Sequence, residues 1–224
     1  VGAIAGADDE GDGHDAVWAD FDRDGDLDLY VANEVGSNAF YVNNNDGTFT
    51  NLVWGAEVDV PGASVGAGVS DVDGDGDLDL YVSVLGAANR LFRNDGNSNS
   101  FLHVRTQGTL DNSDGVGASI TAVAGSLRQR RHMSGGSGRF SANRQEVSFG
   151  FGPATSVDSI IVEWPSGLIQ VDDSPPINQV YVAQQQSLVF NDVADSVNVQ
   201  WNDSSYGAAW GDYDGDGEPD LYLS

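Results

Sequence analysis

One acidic pattern recurs three times along the chain: DFDRDGDLDLY from Asp20, DVDGDGDLDLY from Asp71 and DYDGDGEPDLY from Asp212. The first two start 71 − 20 = 51 residues apart. Each copy follows a short apolar stretch (AVWA, AGVS, AAWG) and runs into an alternating one, so each reads as strand, acidic loop, strand. In the first copy Leu27, Leu29 and Val31 point one way and Asp28 and Tyr30 the other. A second hairpin signal follows the first two copies: NAFYVNNNDGTFTNLV after the first and NRLFRNDGNSNSFLHV after the second. Four short strands repeating at about 50 residues are the unit of a propeller blade. The expected fold is therefore all-β, with propeller-like four-stranded blades forming an incomplete propeller.

The loops themselves pose an electrostatic problem. In the first, carboxylates stand at positions 1, 3, 5, 7 and 9 (Asp20, Asp22, Asp24, Asp26, Asp28), with Gly25 at position 6. The second repeats this with Asp71, Asp73, Asp75, Asp77 and Asp79, and the third with Asp212, Asp214, Asp216, Glu218 and Asp220. Carboxylates brought this close repel and raise one another's pKa unless a cation lies among them. The spacing is that of the first nine positions of a calcium loop, in which position 7 offers its backbone carbonyl. Calcium is favoured over magnesium by the flexible oxygen-rich cage. It is favoured over zinc by the lack of cysteine and of clustered histidine. These are not EF-hands: position 12 is Val31, Val82 or Leu223, and a strand follows instead of a helix. Three calcium sites are expected, as structural braces and not as catalytic centres. With a dissociation constant of about 0.1 mM in about 1 mM calcium, each would stabilise the fold by roughly 1.4 kcal/mol.

Composition narrows the partners. The chain of 224 residues carries 35 acidic against 9 basic side chains, a net charge of −26. Such a balance opposes binding to nucleic acid and to anionic membranes. No apolar run reaches the roughly 18 residues of a membrane span, and no cysteine is present to form a disulfide. The chain begins at Val1 without a signal-peptide pattern, and its only methionine is Met133, so it reads as processed or partial.

Between the second and third acidic copies the composition changes. Residues 100–171 show strand-like stretches at Phe101 to Thr106, Ala118 to Ala124, Glu146 to Phe149 and Ser159 to Trp164, separated by Gly and Ser turns. Five of the nine arginines, Arg128, Arg130, Arg131, Arg139 and Arg144, fall between positions 128 and 144 of this segment. They are either a solvated strand face or a surface for an acidic partner, whether a sulfated or carboxylated glycan or another copy of this acidic chain. MSGGSG at Met133 lacks the Lys and Ser/Thr of a phosphate loop. His14, His103 and His132 have no nucleophile context. Asn202 opens the glycosylation sequon NDS.

The acidic copies resemble FG-GAP or VCBS repeats, on the strength of the DxDxDG cores at Asp20, Asp71 and Asp212 together with NNNDGTF at Asn43 and RNDGN at Arg93. That resemblance implies calcium-binding β-propeller blades of integrin-like extracellular proteins, with the matched carboxylates as ligands. In the third copy Glu218 and Pro219 depart from the pattern. The middle segment is similar to the ASPIC/UnbV module through GVGASITAVAG, RQRRHMSGGSGRFS, VSFGFG and VEWPSGLIQ, in that order. The resemblance implies an inserted β-sandwich-like module and transfers no defined reaction. The expected organisation is two blades over 1–99, the module over 100–171, and a return segment with a third, partial blade over 172–224. With about 70 residues assigned to the module, about 150 remain, enough for three blades at most. Open sheet edges would then be completed by another copy, head to tail, giving an oligomer or filament. The reading is a non-enzymatic, calcium-stabilised structural or adhesion protein outside the cell or on its surface. The alternative is a carbohydrate-binding or carbohydrate-active protein that uses the module as its site, with a glycan or other extracellular ligand as partner.

Overall fold

The computed structural model describes residues 5–52, 62–136, 145–186, 208–211 and 220–223. The chain divides into two compact units, Val1–Ser187 and Leu188–Ser224. All sixteen elements of the described residues are β-strands, in keeping with the expected all-β class.

The first sheet is an antiparallel meander of β1 (Asp12–Ala19), β2 (Asp28–Val35), β3 (Ala39–Asn43) and β4 (Phe49–Asn51). The second repeats it with β5 (Ala63–Ser70), β6 (Asp79–Leu85) and β7 (Arg90–Phe92). Registers match across the repeat, since Ala19 pairs with Asp28 and Ser70 with Asp79. Each acidic loop therefore spans the same eight-residue gap between the first two strands of its sheet. The described residues supply a four-stranded first blade and a three-stranded second one, and no sheet closes on itself.

The alternation in β2 holds, but the deeper face is the one carrying Asp28, Tyr30 and Ala32, while Leu29 and Val31 are half-buried. The reason is packing between blades. Tyr30 and Ala32 share one core with Val17 and Ala19 of β1, Ala67 and Val69 of β5, and Leu80 and Val82 of β6. A small or flat side chain suits that close sheet-to-sheet approach, and the apolar area removed from water drives it.

The middle segment consists of β8 (Phe101–Gln107), β9 (Ser119–Ala124), β10 (Leu127–His132), β11 (Val147–Gly150), β12 (Ser159–Glu163), β13 (Ile169–Asp173) and β14 (Gln179–Gln184). These form a sheet in the order β10-β9-β12-β13 and another in the order β11-β8-β14. The two share a core that includes Leu102, Val104, Ile120, Phe149, Ile160, Val162 and Trp164. Met133 is buried in the same core, so MSGGSG starts from a packing residue. The expected boundary at residue 171 needs correction. It cuts β13, and β14 pairs in parallel with β8 along its whole length. A parallel partner far along the chain leaves no local hairpin signal, so residues 179–184 look like a return segment in the sequence alone. Gln185 closes this end: its Oε1 accepts the backbone N–H groups of Thr109, Leu110 and Asp111 at 2.9, 2.8 and 3.0 Å.

In the second unit β15 (Ala208–Gly211) and β16 (Asp220–Leu223) pair antiparallel, with Gly211 opposite Asp220. That is the register of the first two copies.

Candidate metal centre

Between β1 and β2 the chain must reverse within a few residues, and the aspartates organise that reversal. Asp22 Oδ1 accepts the N–H of Asp24 at 3.2 Å, and Asp24 Oδ1 accepts that of Asp26 at 2.9 Å. Gly25 takes φ +106°, a backbone conformation L side chains rarely adopt. Its N–H reaches Asp20 Oδ2 at 3.1 Å. Asp28, the first residue of β2, accepts Phe21 N–H on Oδ2 at 3.0 Å and Asn43 N–H on Oδ1 at 2.9 Å, tying the loop to β3.

Every one of these bonds has a counterpart 51 residues on. Asp73 accepts Asp75 N–H, Asp75 accepts Asp77 N–H, and Asp71 Oδ2 accepts Gly76 N–H. Asp79 accepts the N–H groups of Val72 and Asn94 at 2.8 and 2.9 Å. Two copies with different intervening residues thus converge on one hydrogen-bonded frame.

Inside the frame, Asp20, Asp22 and Asp24 each bring an oxygen within 4.8 Å of the others. In the second loop Asp71, Asp73 and Asp79 do the same. Asp20 is 1% exposed. Its Oδ2 receives Gly25 and, from the module, Gly150 N–H at 2.9 Å, while its Oδ1 is buried with no hydrogen-bond partner. Burial first, then the negative charge of Asp24, pushes the Asp20 carboxyl up to about 7. Burial likewise raises Asp28 to about 7, against the two amides that favour its charged form. Asp22 and Asp26 are raised by burial and by Asp24.

This arrangement fits a hard cation. The donors are all carboxylate oxygens, one of them buried without any donor, and Asp20 and Asp22 hold protons more tightly than ordinary aspartates do. A divalent ion would relieve both the repulsion and the unmet oxygen. Asp75 and Asp77 lie outside the second carboxylate cluster, and Asp26 and Asp28 outside the first. The Asp77 carboxylate forms an ion pair with Arg23 at 2.9 Å. Asp212, Asp214, Asp216 and Glu218 lie outside the described residues, and of Asp220 only its place at the start of β16 is described.

Other residues take part in or adjoin these loops. Asn43 and Asn94 close the two frames, and their common offset of 51 residues was a legible signal. Arg23 stands where the other copies have Gly74 and Gly215. His103 is buried with Nε2 3.7 Å from Asp71 Oδ2, brought there by β8. The arginine run of β10 divides by face. Arg130 bonds Glu163 at 2.9 Å, whereas Arg131 lies over the Phe149 ring and donates to Gly25 O at 3.3 Å. Arg139 and Arg144 lie outside the described residues.

Two protein families match parts of the chain. Residues 20–82 match the FG-GAP-like repeat, and residues 108–189 match the ASPIC and UnbV family. The second match runs past residue 171 and includes β14. No curated protein matches the chain. The pairing of FG-GAP-like repeats with an ASPIC and UnbV module marks a β-propeller-type protein of the extracellular or surface kind. No helix among the described residues is long and apolar enough to cross a membrane.

Proposed function

We propose that this chain is a calcium-stabilised, non-enzymatic structural or adhesion module of an extracellular or surface protein. The observation that carries the reading is the buried, unpartnered Oδ1 of Asp20 inside a three-carboxylate cluster whose frame is repeated at Asp71, Asp73 and Asp79. Asp20, Asp22 and Asp24 would hold one ion and Asp71, Asp73 and Asp79 a second. Asp26 and Asp77 would contribute through their carbonyls, and the third copy would hold another through Asp212, Asp214, Asp216, Glu218 and Asp220. The ion supplies positive charge where the fold has gathered carboxylates, and the residues supply the cage and the strand ends it braces. Carboxylates committed in this way are not available as acids or bases toward a substrate, which supports a bracing role.

Association with further copies follows from the second blade. Tyr81, Leu85 and Leu91 are exposed at 44, 64 and 56%, and Tyr81 and Leu91 are cross-strand partners on β6 and β7. An apolar sheet face of this kind suits a neighbouring blade, here one from a second copy. Calorimetric titration with calcium tests the first part: saturable binding with a rise in melting temperature is expected, and no binding at millimolar calcium would overturn it. Sedimentation velocity with calcium and with EDTA tests the second. A larger species in calcium is expected, and a monomer in both would remove self-association while leaving the calcium reading intact.

A further inference from the structure

At the fourth position of the acidic loop two copies carry glycine, Gly74 and Gly215, and the first carries Arg23. The backbone there is left-handed, with φ +83° at Gly74 and +57° at Arg23. A long side chain kept at a position that suits glycine points to a task for the side chain. Arg23 is 5% exposed, and it reaches out of its own loop into the second. Its Nε pairs with Asp77 at 2.9 Å, its guanidinium lies over the Phe101 ring at 5.4 Å, and Nη2 donates to the Asn97 carbonyl.

A second set of bonds runs in parallel. Asn94 Nδ2 donates to the Phe21 carbonyl at 2.8 Å, while the Asn94 N–H donates to Asp79 Oδ1 at 2.9 Å. Asn97 and Asn99 both donate to the Asp22 carbonyl. The backbone between Asp20 and Asp24 is thus bonded to the segment that fixes Asp79, a member of the second carboxylate cluster. Ordering either loop orders groups on which the other depends.

We propose that Arg23 and the Asn94 segment couple the two acidic loops, so that calcium at one tightens calcium at the other. The inference rests on the calcium reading above. Arg23 is a positioning residue: its cation neutralises Asp77 and holds the second loop against the first. The coupling is positive because the cost of ordering the shared backbone is met by the first ion and not again by the second.

The test is a cycle on the full chain, with the third loop silenced by Asp212→Asn, Asp214→Asn and Asp216→Asn in every sample. Asp22→Asn with Asp24→Asn disables the first loop, and calorimetry then reads calcium affinity at the second. With Arg23 present, disabling the first loop is expected to weaken the second at least fivefold, the lower end of ordinary coupling. In an Arg23→Gly, Asp77→Asn background the same change is expected to weaken it less than twofold. That pair of substitutions removes both halves of the ion pair, and glycine suits the φ, so the fold is retained and circular dichroism checks it. Equal effects in both backgrounds, or none in either, overturn the coupling while calcium binding stands. If the chain carrying only the third-loop substitutions binds no calcium, the calcium reading and the coupling fall together.

Discussion

Replacing Asp20 by Asn is expected to have opposite effects with and without calcium. In the calcium-free protein the Asp20 carboxyl has a pKa of about 7 against an ordinary 3.8. As pH rises through that window the unfolded chain releases the proton and the native state retains it, so stability falls with pH and levels off above about 7. That difference corresponds to about 4 kcal/mol of native-state penalty at pH 8. Asparagine carries no charge and keeps an oxygen for the amides of Gly25 and Gly150. Its NH2 group then occupies a buried position, at a cost of about 1–3 kcal/mol where its bonding is incomplete. The net expectation in EDTA at pH 8 is a gain of about 1–3 kcal/mol, or about 2–12 °C in melting temperature for a chain of this size. At pH 4 the gain disappears, because wild-type Asp20 is then protonated in the fold. In millimolar calcium the order reverses: the wild type is stabilised by the ion and the variant, with a ligand oxygen lost, is not. Thermal denaturation followed by circular dichroism at pH 4 and pH 8, with EDTA or calcium, measures all four conditions. Destabilisation of the variant by the same amount with and without calcium would refute the argument, since Asp20 would then act only as an acceptor for backbone amides.

Other substitutions separate packing from cation binding. Gly76→Ala places a Cβ 2.1 Å from the Phe101 ring at φ +91°, whereas Gly47→Ala at φ +83° meets open space. Denaturant titration should show a loss of about 2–4 kcal/mol for the first and about 1 kcal/mol for the second. Gln185→Leu strips three backbone N–H groups of their acceptor. It is expected to cost about 2–4 kcal/mol by the same assay with calcium affinity unchanged by calorimetry. Magnesium, which demands a tighter octahedron and gives up its water reluctantly, should reproduce little of the thermal stabilisation seen with calcium at equal concentration.

Much of this protein is legible in one dimension because its decisive information is periodic and local. The DxDxDG spacing, the 51-residue offset and the alternation on either side point to strand–loop–strand units. Those strands form with matching registers at Ala19 opposite Asp28, Ser70 opposite Asp79 and Gly211 opposite Asp220. The four strands read from the middle segment also form to within a residue or two at their ends. Strand β10 was not legible, because LRQRRH buries only Gln129 and shows no apolar alternation.

Tertiary structure alone decided what these units do to one another. Which face of β2 is buried depends on the second blade packing against it, and no pattern within eight residues encodes that neighbour. The parallel pairing of β14 with β8 joins residues more than seventy positions apart and carries no turn signal. Arg23 meeting Asp77, and Gly150 giving its amide to Asp20, are contacts across 54 and 130 positions. The aspartate spacing by itself determined that carboxylates would crowd in the two loops the structure describes. The sheets brought to the first of these the burial that raises Asp20, the amide from the module and the arginine that ties it to the second, because desolvation and long-range contact exist only once the chain is packed.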